Sequence, residues 1–163
     1  MKSLTTYLDE ALIINKGAKK PRTPEDLRKI IMKIYQTQGP GTKNRPIDLN
    51  GIDVSLMTSF YDKKEGGIFR RTPFEYIDIS KWDVSHVKDM HGMFYESEQL
   101  KSVGDLSAWD VSKVKDMSFM FYKCEQLTSV GDLSHWDVIP KTDMNGMFDR
   151  ANRRLAIPDW YED

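Results

Sequence analysis

The sequence predicts an α/β repeat solenoid, in which short parallel strands alternate with helical or 3-10 return segments behind an α-helical N-terminal cap. Three observations predict it. The segment Asp78-Ile-Ser-Lys-Trp-Asp-Val-Ser-His-Val-Lys-Asp-Met-His-Gly-Met-Phe-Tyr returns nearly intact from Asp105 and again from Asp132. Trp82, Trp109 and Trp136 are each 27 residues apart, with Val84/Val111/Val138, Met90/Met117/Met144, Met93/Met120/Met147 and Phe94/Phe121/Phe148 in step. Upstream of the repeat, apolar residues switch to helical spacing at Leu27, Ile30, Ile31 and Ile34. A unit of this length cannot bury its own apolar face, so copies must cover one another.

Residues 1–45 form the expected helical extension and 46–163 the repeat domain. Leu4 to Ile14 is weakly amphipathic and Lys16 to Arg22 reads as a linker. Thr23-Pro24-Glu25-Asp26 is a helix start: the threonine hydroxyl can cap, and proline at the first helical position gives up no useful N–H. Gly39-Pro40 ends the run. A degenerate copy begins near 48, with Ile52 in the tryptophan column, and another near 155 ends in Trp160. Within the degenerate first copy, Lys63-Lys64 and Arg70-Arg71 surround Gly66-Gly67, which reads as a solvated, hairpin-like basic loop. Leu100-x-x-Val103-x-x-Leu106 and Leu127-x-x-Val130-x-x-Leu133, with Phe74-x-x-Ile77-x-Ile79, read as leucine-rich-repeat-type strands; the Asp-Met-x-x-Met-Phe run after each supplies the return turn.

The chain has 163 residues, 39% hydrophobic and 30% charged, which suits a folded domain and excludes a disordered polyelectrolyte. No apolar stretch approaches a membrane span, so membrane insertion is not expected. The net charge of -1 hides an asymmetry: residues 1–45 carry ten Lys/Arg against four Asp/Glu, and the rest carries fourteen against twenty-one. A basic arm of this kind is read as solvated lysine-rich chain, and nucleic acid is not the expected partner. The one cysteine, Cys124, excludes an intrachain disulfide.

The run Trp-Asp-Val-Ser-x-Val-x-Asp-Met-x-x-Met-Phe-Tyr-x-Cys-x-x-Leu-Thr-Ser-Val at Trp109–Val130 resembles the repeat of the BspA-like leucine-rich-repeat surface proteins of bacteria, with a likeness extending over roughly residues 46–160. The resemblance implies a leucine-rich-repeat fold and a secreted or cell-surface interaction role. Asp9 and Glu10 interrupt any apolar signal-peptide core, so the expected location is cytoplasmic or virion-associated. The virion enters because Met1 to Ala11 is similar to the capsid-targeting leader of tailed-phage internal proteins, which is cut after a Leu-x-Glu motif, here Leu8-Asp9-Glu10.

The chemistry expected is sparse. Aspartates recur as Asp78/Asp105/Asp132, Asp83/Asp110/Asp137 and Asp89/Asp116/Asp143 at places where turns must close, and are read as capping groups in preference to calcium ligands. His86, His91 and His135 fall at unrelated positions, too scattered for zinc or for a Cys-His pair with Cys124. No catalytic residue, metal or cofactor is expected. The repeat template leaves Glu75 and Tyr76, Lys101 and Ser102, and Thr128 and Ser129 free to vary side by side, which makes them the expected binding surface. The function expected is a non-catalytic protein–protein interaction module with another protein as partner; the alternative is a phage or mobile-element virion or host-modulating protein carrying a targeting leader.

Overall fold

Thr23 caps the helix as its position requires: the Asp26 N–H donates to Thr23 Oγ1 at 3.1 Å, and α1 runs Pro24–Gln38. Gly39 ends it, donating its N–H to the Tyr35 carbonyl at 2.7 Å. The computed structural model describes residues 20–162; the Leu4–Ile14 segment and the Leu8/Glu10 leader motif lie outside them. Leu27, Ile30, Ile31 and Ile34 are all buried on one face of α1, and the Tyr35 ring meets Phe74 edge-on at 5.3 Å.

Among the described residues the regular elements are few. Besides α1 there are β1 (Ile47–Asp48), β2 (Tyr61–Asp62), β3 (Gly66–Gly67), β4 (Ile77–Asp78) and a 3-10 turn at Leu133–His135. β1 pairs with β4 in parallel, and β2 with β3 as an antiparallel hairpin in the basic loop. The molecule is thus a small mixed α/β domain with two two-stranded sheets, which corrects the expected repeat solenoid with its parallel sheet and helical or 3-10 returns. Where strands were expected, Tyr76, Ser102 and Ser129 contribute only isolated parallel bridges. Two residues beyond each serine, Gly104 and Gly131 turn the chain with φ of 85° and 88°, and past Gly104 the copies are joined by a single bond from the Leu106 N–H to the Val130 carbonyl at 2.8 Å.

The return segments fail to become helices for a different reason. Alternate N–H groups point sideways into the next copy: Met90, Gly92, Phe94 and Glu96 donate to the carbonyls of Asp116, Ser118, Met120 and Tyr122 at 2.8–2.9 Å. The next copy repeats the pattern, with Met117, Phe119, Phe121 and Lys123 donating to Asp143, Asn145, Met147 and Asp149. Only the intervening amides, such as Met93 to Met90 and Tyr95 to Gly92, close turns within a copy. An amide spent on a neighbour is not available to a helix.

Side chains bind the copies together in the same direction. The rings of Phe69, Phe94, Phe121 and Phe148 form one pile, with centroids 5.2, 5.4 and 5.5 Å apart and planes within 13°. Trp109, Trp136 and Trp160 form a second, at 6.4 and 6.3 Å. Trp82, Trp109, Trp136 and Trp160 each donate the indole N–H to a carbonyl of the preceding copy, those of Leu49, Ile79, Leu106 and Leu133. The tryptophan column is therefore interior wall, with Trp82, Trp109 and Trp136 buried and Trp160 half-buried. One apolar core continues from Leu27 of α1 to Leu155.

α1 is tied to the hairpin by Arg28, whose guanidinium is half-buried. Nη1 donates to the carbonyls of Gly67 and Ile68 at 3.1 and 2.9 Å, and Nη2 to that of Arg70 at 2.9 Å. Desolvation lowers the pKa of this guanidinium, opposed by the charge of Glu65. Arg28→Ala is expected to cost about 2 kcal/mol in urea unfolding, because charge-assisted bonds to carbonyls are lost together. Arg28→Lys should recover less than half of that, since an ammonium has no planar fork. A loss under about 0.5 kcal/mol would show that these contacts do not hold the hairpin.

The aspartate columns close turns. Asp78, Asp105 and Asp132 accept the N–H of Ser80, Ser107 and Ser134 at 3.0 Å; Asp83 and Asp110 accept both the N–H and the hydroxyl of Ser85 and Ser112. Asp89, Asp116 and Asp143 accept the N–H two residues on. The Asp83 and Asp110 carboxyls are held below their ordinary pKa by the serine hydroxyl first and the serine N–H second; for Asp105 and Asp132 that order is reversed. A carboxylate depressed in this way stabilises the fold above its unfolded pKa near 4 and loses that contribution as the pH falls through the folded value. Tm is therefore expected to fall as the pH is taken from about 5 down through the folded-state titration of these carboxyls. A Tm flat over that interval in a calorimetric scan would mean that the turns do not depend on ionised aspartates.

Candidate binding surfaces

The residues singled out from the repeat template converge. The parallel bridges Tyr76 to Ser102 and Ser102 to Ser129 place one residue from each of three copies in a row. The Glu75 carbonyl accepts the Lys101 N–H at 2.7 Å, and Lys101 Nζ reaches Glu75 Oε2 at 2.6 Å while lying 5.7 Å from the Tyr76 ring centroid. The hydrogen bond to Glu75 raises the Lys101 pKa. Thr128 continues the row, its N–H directed at the Lys101 carbonyl at 3.4 Å. Tyr76, Lys101, Ser102, Thr128 and Ser129 line a shallow groove of about 560 Å³, with Asn152 at its far end. Glu75 does not line the groove and acts on it through Lys101.

A second cavity, of about 390 Å³, was not anticipated from the sequence. Its walls come from the hairpin and from two successive return segments: Tyr61, Lys63, Lys64 and Arg70 on one side, His91, Tyr95, Phe119 and Tyr122 on the other. Tyr95 and Tyr122 stack at 4.8 Å, Arg70 Cζ lies 5.3 Å from the Tyr95 centroid, and Lys123 Nζ lies 5.5 Å from that of Tyr122. His91 Nδ1 is 2.7 Å from Ser118 Oγ, and its ring meets Tyr61 edge-on at 4.8 Å. Phe119 touches His91, Tyr95 and Tyr122 edge-on. The signals in the sequence are the basic loop around Gly66-Gly67, read there as solvated, and Phe119, which stands in a column otherwise filled by Gly92 and Gly146.

A family model described as Mycoplasma protein of unknown function, DUF285, matches residues 55–160. The chain belongs to the DUF285 family. The match agrees with the expected BspA-like repeat likeness and covers both cavities' repeat walls, while leaving α1 and β1 outside. It gives no support to a phage leader, and neither a curated protein nor a solved structure matches.

The one cysteine of this DUF285 chain is engaged in the interior. Cys124 is fully buried, its Sγ directed at the Phe94 carbonyl at 3.2 Å, and burial pushes its thiol up to about 12. Ser97, one copy earlier, uses its hydroxyl in the same way on the Phe69 carbonyl at 2.6 Å. Among the described residues no group of three or more His, Cys, Asp or Glu is placed to hold a metal ion, and no helix is long and apolar enough to cross a membrane.

Proposed function

We propose that this DUF285 chain is a non-catalytic binding module whose groove along Tyr76, Ser102 and Ser129 receives a segment of another protein. The observation that carries the reading is the alignment of residues from three copies on one bridge line, over a groove of about 560 Å³. Tyr76 offers a half-buried ring, Lys101 a cation steadied by Glu75, and Gln126 and Asn152 amides able to donate and accept. Such a mix suits an extended polar segment held along its length. A thiol buried and raised to about 12 is a poor nucleophile, which supports the non-catalytic part.

The test is crosslinking mass spectrometry on the intact chain and on a Tyr76→Ala/Lys101→Glu/Thr128→Lys variant. Crosslinks to a partner that concentrate on the groove and vanish in the variant are the expected result. A partner retained at undiminished affinity by the variant would move function off this groove.

A further inference from the structure

The second cavity is independent of the groove and calls for a ligand of its own. Three cations line it, Lys63, Lys64 and Arg70, and no carboxylate does. None of the three makes an ion pair within 4.0 Å among the described residues. This is a concentration of positive charge on a repeat body that is acidic in sum. Tyr61, Tyr95 and Tyr122 bring phenol hydroxyls, and none of these is hydrogen-bonded among the described residues.

Phe119 adds a separate observation. Its φ is 55°, a left-handed conformation that costs a bulky residue roughly 1–2 kcal/mol. The copies on either side use Gly92 and Gly146 there, at φ 52° and 60°. The Phe119 ring lies so close over Gly146 that a Cβ on that glycine would come within 2.7 Å of it. An aromatic wall is thus held in the cavity at a position where glycine meets the backbone's demand without strain.

We infer that the cavity formed by Tyr61, Lys63, Lys64, Arg70, Tyr95, Phe119 and Tyr122 binds an acidic sugar unit, a pyranose carrying a carboxylate or sulfate. The cations meet the acid group, the free phenols meet ring hydroxyls, and Phe119 offers an apolar wall to the sugar's C–H face. A volume of about 390 Å³ accommodates one or two such rings. A stacked nucleobase fits less well, because Tyr95 and Tyr122 cover each other's faces and Arg70 and Lys123 sit against the pair.

The test is calorimetric titration of the full chain with three hexasaccharides: a sulfated uronate–glucosamine repeat, a galacturonate oligomer and a neutral glucose oligomer. Binding of either acidic oligomer, with the neutral one at least tenfold weaker, is expected, and the tighter of the two identifies the acid group. Arg70→Gln and the pair Lys63→Ser/Lys64→Ser should each weaken that binding at least tenfold. Phe119→Gly should weaken it at least fivefold while leaving Tm unchanged or raised, an outcome a merely structural phenylalanine would not give. The groove variant should bind the sugar unchanged, which separates this site from the proposed protein groove. Absence of binding to both acidic oligomers overturns the inference. So does an equal loss on Lys113→Ser/Lys115→Ser, which would mark diffuse charge attraction, or tighter cavity-dependent binding of a twelve-residue thymidine strand.

Discussion

Phe121→Ala is expected to lower the unfolding free energy by about 3–5 kcal/mol. The ring is fully buried at the centre of the phenylalanine pile, 5.4 Å from Phe94 and 5.5 Å from Phe148, so its loss opens a cavity between two copies and removes two stacked pairs at once. Backbone bonds limit any collapse into that space, because Phe121 N–H is engaged with the Met147 carbonyl at 2.8 Å and Phe94 N–H with the Met120 carbonyl at 2.9 Å. Against a total of about 5–15 kcal/mol for a domain, this is a large fraction. Phe121→Leu keeps most of the volume and should cost about 1.5 kcal/mol or less. Urea titrations followed by tryptophan fluorescence measure both. A Phe121→Ala loss below about 1 kcal/mol would mean that the copies are not held through this pile.

The second large effect is expected at Gly67→Ala, which should lower Tm by roughly 3–10 °C, corresponding to about 1–3 kcal/mol. Gly67 belongs to β3 and is buried with its α-carbon against the backbone of the next return segment. An added methyl would overlap the Gly92 carbonyl group and lie 2.7 Å from Met93 Cα. Backbone cannot swing aside as a flexible side chain can, so β3 itself must move. Its carbonyl is held by Arg28 Nη1 and by the Arg70 N–H, and Gly67 also lines the aromatic cavity. The same substitution should therefore weaken acidic-sugar binding as well as stability. An unchanged Tm in a calorimetric scan would place β3 farther from Gly92 than the structure has it.

Much of the interior was legible from the 27-residue spacing alone. Columns such as Trp109, Val111, Met117, Met120 and Phe121 recur because each fills the same place against its neighbour, and all five are buried. α1 was equally legible, since Thr23, Pro24 and the Leu27/Ile30/Ile31/Ile34 stripe are local signals that need no partner to be read. The strands and helical returns were overread. Periodicity reports which residues face inward, but it does not report where the backbone amides go, and here every second amide of a return segment goes to the next copy.

The two cavities divide in the same way. Tyr76, Lys101, Ser102, Thr128 and Ser129 could be aligned on paper because they occupy equivalent places in a repeat. Tyr61, Arg70 and Phe119 could not, since they belong to an irregular hairpin and to the single exception in a glycine column. By itself the sequence determined the period, the capped helix and the identity of the core columns, all of which are local or self-referential patterns. Only the tertiary structure decided that copies join through scattered bridges and sideways amides, and that Lys63, Lys64 and Arg70 share a cavity with a phenylalanine held at positive φ. Those features depend on contacts between residues about 25–50 positions apart, which no local propensity encodes.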